Sequence, residues 1–244
     1  RLIIMVDEFE KIEEGIKEGK LDAQLLDFWR GVIQTYPWFV MVFAGLHTLQ
    51  EMTRDYWHPL FGSITGVPVS FLRDEAATRL ITQPTADFDI DYDADAIAEI
   101  IRLTHGQPYL VQLLCHCLVT RFNRQSFEEG VERARRFSLA DVEAVINTPE
   151  FYRDGDAYFT GVWKQAETGE AKGQQQILGA LAHSGTNVPT TGMSTAELVQ
   201  QTGLAPENVQ RALEVLKRHD VVTTTDDSWH FTVELMRRWV AQKQ

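Results

Sequence analysis

The sequence predicts an α/β chain in three parts: a parallel sheet with helices, then an all-α segment, then three helices closed by a β-hairpin. Three observations carry this. Two apolar, β-rich runs, LIIMV at 2–6 and WFVMVFAG at 38–45, flank one helical pattern, and strand–helix–strand implies a right-handed parallel crossover. From Asp93 onward no strand pattern recurs until residue 221. The final 70 or so residues then alternate helical patterns with turn signals and end in two short β-rich runs.

The first run is continuously apolar, as in a strand covered on both faces. Between the strands, DAQLLDFWRGVIQTY places Leu25, Leu26, Phe28, Trp29, Val32 and Ile33 at helical spacing. A further helix is expected over TLQEMTRDYW, an extended segment over GVPVSFL, and a helix over RDEAATRLITQP capped by Asp74 and stopped at Pro84. Two helices follow over 93–122, broken at Gly106-Gln107-Pro108 with Pro108 in the first turn of the second. SLADVEAVIN opens with a Ser138 cap, an aromatic-rich helical stretch follows, and KQAETGEAKGQQQ reads as a polar junction. In the last segment Ser194 and Glu197 form a capping-box pattern, Gly203 falls in a turn, and Asp226-Asp227-Ser228 links the β-rich runs. That order is the order of a winged helix-turn-helix. The expected domains are therefore 1–92, 93–168 and 169–244.

Composition bounds the function. At 44 % hydrophobic, 244 residues can bury a sizeable core, which excludes a disordered chain. A net charge of −12, from 35 acids and 23 bases, argues against a surface that clamps phosphate backbones or anionic membranes throughout. No apolar run approaches the roughly 18 residues of a spanning helix, and the N-terminus lacks the features of a secretory leader; a cytoplasmic location is expected. Cys115 and Cys117 flank His116 on a predicted helix, where positions two apart point to nearly opposite sides, so they read as small buried hydrophobes rather than metal ligands.

LIIMVDEFE resembles the Walker B strand of P-loop ATPases. By that resemblance Asp7 holds a magnesium ion, usually through water, and Glu8 polarises the attacking water. This arrangement suits the chemistry, because ligands of open parallel sheets bind at the carboxyl ends of strands and magnesium takes few protein carboxylates. On spacing alone the same pair reads as a strand running into a solvated helix start. WFVMVFAG lies where such ATPases place the sensor strand, and since Ala44, Gly45 and Leu46 follow it, the polar sensor candidates are His47 and Thr48. His47 reads equally as a solvent-facing helix start. Arg54 is the candidate for an arginine acting in trans.

GQPYLVQLLC resembles the Gly-x-Pro signature in the helical lid of STAND ATPases and the related archaeal-type AAA+ ATPases. The resemblance implies that Gly106 permits the turn and that Pro108 packs on adenine. With the terminal winged helix it covers nearly the whole chain and implies a P-loop-type parallel sheet, a lid and a winged helix, an ATP/ADP-driven signalling switch using Mg2+, effector or sensor domains in the same protein, and homo-oligomers. One part is absent: the 244 residues contain no G-x-x-x-x-G-K followed by Ser or Thr, the loop that cradles phosphates. A chain starting at Arg1 is expected to lack the first half of its nucleotide domain, to need a separate P-loop segment as partner, and not to turn over ATP alone.

Two other readings stand beside this. In one the winged helix binds DNA through Arg211, Lys217 and Arg218 of APENVQRALEVLKRHD, supported by Asn208 and Gln210; residues 170–244, with eight acids and seven bases, carry a net of −1, which is poor for that role. In the other, Asp7 and Glu8 are vestigial and the chain is a non-catalytic scaffold.

Overall fold

The computed structural model describes residues 1–45, 59–168, 171–183 and 192–243. The chain divides into two compact units, Arg1–Val69 and Ser70–Gln244.

In the first unit β1 (Leu2–Val6) pairs in parallel with β2 (Phe39–Phe43), Leu2 opposite Phe39 and Val6 opposite Phe43. Helices α1 (Glu10–Lys17) and α2 (Gln24–Thr35) form the crossover. Its core is small: Phe9, Leu26, Leu60 and Phe61 are buried, with Val6, Ile12, Ile16, Trp29, Ile33 and Phe43 packed around them. Phe9 is the hub, edge-on to Phe43 at 4.7 Å and to Phe61 at 6.1 Å. The expectation that β1 is covered on both faces does not hold among the described residues. Ile3 is 57 % and Met5 77 % exposed, and Val40 and Val42 of β2 are exposed as well. Among the described residues, no element covers the exposed face of this strand, whose every side chain is apolar, the pattern of a strand from a sheet interior.

The second unit begins with α3 (Asp74–Thr82), whose N-cap is Arg73; Asp74 is its first helical residue rather than its cap. After it come β3 (Asp91–Tyr92), α4 (Ala94–Thr104), α5 (Pro108–Asn123), a π-helical turn at Arg124–Glu128, β4 (Arg136–Phe137), α6 (Leu139–Ile146), α7 (Pro149–Asp154) and α8 (Asp156–Thr168). The junction predicted over 164–176 is thus helical through Thr168. β3 and β4, two residues each and parallel, are strands that the sequence pattern did not announce. Residues 70–92, expected with the sheet, fall in the second unit instead, where Ile81 is fully buried in the core formed with these helices. Ser138 and Asp141 make a reciprocal capping box on α6.

The chain ends with α9 (Gln174–His183), α10 (Thr195–Thr202), α11 (Pro206–Arg218), an antiparallel hairpin β5 (Val222–Thr225) and β6 (Ser228–Phe231), and α12 (Glu234–Lys243). Asp226 and Asp227 sit at φ 50° and 62°, the left-handed pair that a two-residue hairpin turn requires. Ser194 and Glu197 cap α10 reciprocally, and Gly203 ends it at φ 68°. One continuous buried cluster runs from Ile81 to Val240, so the helices of 93–168 and the terminal module pack against each other through a shared core.

α12 also closes on the rest through charge. Glu234 accepts hydrogen bonds from Arg237 at 2.7 Å and Arg238 at 3.0 Å, and Arg237 donates in turn to the Ala182 carbonyl. Burial pushes the Glu234 carboxyl up, but the two guanidiniums outweigh it and hold the group below its usual range. A carboxylate depressed in the folded state adds stability above its unfolded value, near 4.5, and loses it as pH falls through the folded value. Glu234→Gln is therefore expected to lower the urea midpoint at pH 7 by an amount that shrinks on acidification. A deficit independent of pH between 7 and 3 would sink this account.

Candidate functional site

The carboxyl end of β1 is built from a backbone that turns out and then plugs back in. Val6 and Ala44 are laced at the strand ends by the Ala44 N–H donating to the Val6 carbonyl at 2.9 Å, and the Phe9 N–H donates to the Ala44 carbonyl at 3.0 Å. Burial of the Phe9 ring fixes this return. Asp7 and Glu8 are forced outward between these two anchors, and both are exposed. Glu8 takes φ +49°, a left-handed conformation that costs a non-glycine residue about 1 kcal/mol or more and collects at functional positions. Its N–H donates to Asp7 Oδ1 at 2.9 Å, which orients the Asp7 carboxylate beside the strand end.

Gly45 completes the rim. A Cβ there would stand 2.3 Å from Glu10 Oε2 and 3.3 Å from the Phe9 nitrogen, so a larger residue would push the Glu10 carboxylate aside where the end of β2 approaches the first turn of α1. Glu10 and Glu13 are buried on that turn. Asp7 offers a single exposed carboxylate at a strand end, and no group of three or more His, Cys, Asp or Glu able to hold a metal occurs among the described residues. A lone exposed carboxylate at a strand end is compatible with magnesium, which keeps several waters and takes few protein carboxylates. The sensor candidates His47 and Thr48 and the candidate Arg54 lie outside the described residues.

Gly106 and Pro108 belong to the second unit. α4 ends with His105 at φ 50° and Gly106 at φ 71°. Gln107 caps α5 by accepting from the Leu110 N–H at 2.8 Å, and Pro108 takes the first helical position, where no N–H is needed. Gly106 is required twice over: besides its φ, a Cβ would lie 2.2 Å from the Leu72 carbonyl oxygen. Next to Pro108, Tyr109 is exposed, stacks on Tyr158 at 6.1 Å and donates to the Asp154 carbonyl.

A cleft of about 760 Å3 opens beside this turn, walled by Ser70–Glu75, Ile101 and His105 on one side and by Lys217, Asp220, Val222, Thr223 and Thr232 on the other. Ser70, Leu72 and Asp220 were not among the residues singled out from sequence. Their contacts span tens to 150 residues, and no local pattern marks them.

Of the three basic candidates on α11, Arg211 and Lys217 are exposed and Arg218 is half-buried. Lys217 lies over the Trp229 ring at 5.7 Å, and the exposed surface of α11 and of the hairpin tip also carries Glu207, Glu214, Asp226 and Asp227. Cys115 and Cys117 are half-buried free thiols. Burial pushes Cys115 up to about 11 and Cys117 upward as well, which keeps both protonated and unreactive at neutral pH. No described helix is long and apolar enough to cross a membrane.

No protein-family model matches the chain, and no curated protein matches it at a significant level. Solved structures do. The Walker-type ATPase of Pyrococcus abyssi superposes with a TM-score of 0.62 at 16 % identity, over 98 % of this chain and 62 % of that one. The RuvB Holliday junction branch migration motor of Thermotoga maritima overlaps 94 % of this chain and 66 % of its own, with a TM-score of 0.41 and 15 % identity. The chain thus shares the fold of a Walker-type ATPase, with a small parallel sheet and many helices, and spans 62 % of that structure's length.

Proposed function

We propose that these residues are part of an ATP-binding switch of the AAA+/STAND kind, in which nucleotide state governs the arrangement of a helical lid (93–168) and a winged helix (169–244). The observation that carries this reading is the end of β1: two exposed carboxylates held at the carboxyl edge of a parallel strand by buried anchors on either side, the second in a left-handed turn. A shared fold with a Walker-type ATPase supports it.

In this reading Asp7 holds magnesium, and the ion supplies charge neutralisation to the phosphates. Glu8 accepts a proton from, and orients, the attacking water. Gly106 shapes the lid turn and Pro108 meets the adenine ring, while His47 or Thr48 senses the terminal phosphate and Arg54 acts on a neighbouring copy. The phosphate-binding loop comes from a segment outside these residues, which pairs with the open apolar strand β1. Effector or sensor domains follow the same switch. Reading the coding sequence upstream of Arg1 tests this directly. A Gly-rich loop ending in Gly-Lys-Ser or Gly-Lys-Thr behind an apolar strand supports it, and an unrelated domain there overturns it.

DNA binding by the terminal module is the weaker reading, on account of the acids that share its exposed surface with Arg211 and Lys217. Duplex DNA is attracted by clustered positive charge and repelled by a tip such as Asp226-Asp227. The 244-residue chain is expected to show no salt-dependent shift of duplex DNA. A shift that disappears in Arg211→Ala/Lys217→Ala would reverse the ranking.

A further inference from the structure

We propose that residues 70–72 form a strap that couples the His105–Pro108 turn to the turn between α11 and β5, so that a displacement at one is delivered to the other. Both fastenings are present. At one end the Leu72 N–H donates to the Gly106 carbonyl at 2.9 Å, the Leu72 carbonyl lies where a Gly106 Cβ would fall, and Phe71 meets the His105 ring edge-to-face at 6.1 Å. At the other end the Ser70 hydroxyl donates to Asp220 Oδ2 at 2.7 Å, across 150 residues of sequence.

The two turns are themselves unusual. His105, Gly106 and Asp220 all hold positive φ, at 50°, 71° and 55°. For the two non-glycine residues, His105 and Asp220, such a conformation costs about 1 kcal/mol or more, and the strap touches both of them. Asp220 stands directly before Val221, whose N–H closes α11 on the Leu216 carbonyl and whose carbonyl accepts from Thr232 at the end of β6. A pull on Ser70 therefore reaches the base of the hairpin, and a pull on Leu72 reaches the residue two before Pro108. Residues 70–72 line the cleft together with His105 and Asp220.

Ser70, Leu72 and Asp220 are positioning residues in this account: they touch no reacting atom and act through the Gly106 turn. That a nucleotide moves this turn rests on the function proposed above. The coupling does not, and it can be measured on the 244-residue chain without nucleotide.

The experiment is amide hydrogen exchange on that chain, comparing Ser70→Ala, Ser70→Thr and Gly106→Ala with the parent. Losing a hydrogen bond to a carboxylate should speed exchange at Leu72 by roughly three- to tenfold, and the coupling predicts faster exchange at His105 and Gln107 as well. Ser70→Thr, which keeps the hydroxyl, should restore the parent rates. Gly106→Ala, acting from the opposite end, should speed the amides of Asp220 and Val221. If Gly106→Ala is too unstable to fold, the two Ser70 variants decide alone. Changes confined to the mutated end, or a Ser70→Thr protein that behaves as Ser70→Ala, would overturn the strap whatever the chain does with nucleotide.

Discussion

Glu8→Gln, introduced into a protein that also supplies the phosphate-binding loop, is expected to retain ATP binding and to lose turnover by about 10²–10⁴-fold. Glutamine preserves the shape of the side chain and the left-handed backbone at φ +49° but cannot accept a proton. The anchors that set this geometry, the Phe9 N–H on Ala44 and the Ala44 N–H on Val6, do not involve the Glu8 side chain, so the fold should be indifferent to the change. Steady-state hydrolysis together with equilibrium binding separates the two effects. Turnover that survives would remove Glu8 from its role, and binding lost along with turnover would point to damage at the strand end rather than to chemistry.

Phe159→Ala should give the largest stability loss, about 3–5 kcal/mol. The ring is fully buried, stacks on Trp239 of α12 at 5.9 Å and packs against Tyr152 and Tyr158. It therefore joins the helices of 93–168 to the last helix of the terminal module. Because one core runs through both, the second unit is expected to unfold in a single step, with that step shifted as a whole in the variant. Two transitions in chemical denaturation, only one of them moved by Phe159→Ala, would mark a boundary at 168/169.

Local chemistry was the legible part of this chain. Both long apolar runs are strands, parallel as the crossover required. The Ser138 and Ser194 caps, the Gly203 stop and the Asp226-Asp227 turn all sit where short-range backbone hydrogen bonding put them. Asp74 misled by one position, since Arg73 takes the extended cap conformation and the acid enters the first turn, where it complements the helix dipole equally well. What local pattern could not show was long-range pairing. β3 and β4 are two residues long and lie about 45 residues apart in sequence, too short for any periodicity. Residues 70–92 join the second unit because Ile81 finds its partners on helices that come later in the chain.

At the candidate site the residue types were legible and their restraint was not. The sequence offers Asp7 and Glu8 at a strand end. It does not disclose the left-handed turn at Glu8, the Gly45 contact with Glu10, or the Leu72 carbonyl packed against Gly106. Each depends on where a distant backbone segment passes.

The central claim is that the end of β1 serves a nucleotide and its magnesium ion. Its most direct test is thermal unfolding of a protein carrying these residues together with the phosphate-binding loop, with and without ATP and Mg2+. At a hundred times the dissociation constant, ligand should stabilise by about 2.7 kcal/mol, a rise of roughly 5–10 °C for a unit of this size, and Asp7→Asn should remove the part that depends on magnesium. An unfolding temperature indifferent to ATP and Mg2+, or an equal rise in the Asp7→Asn protein, would contradict it.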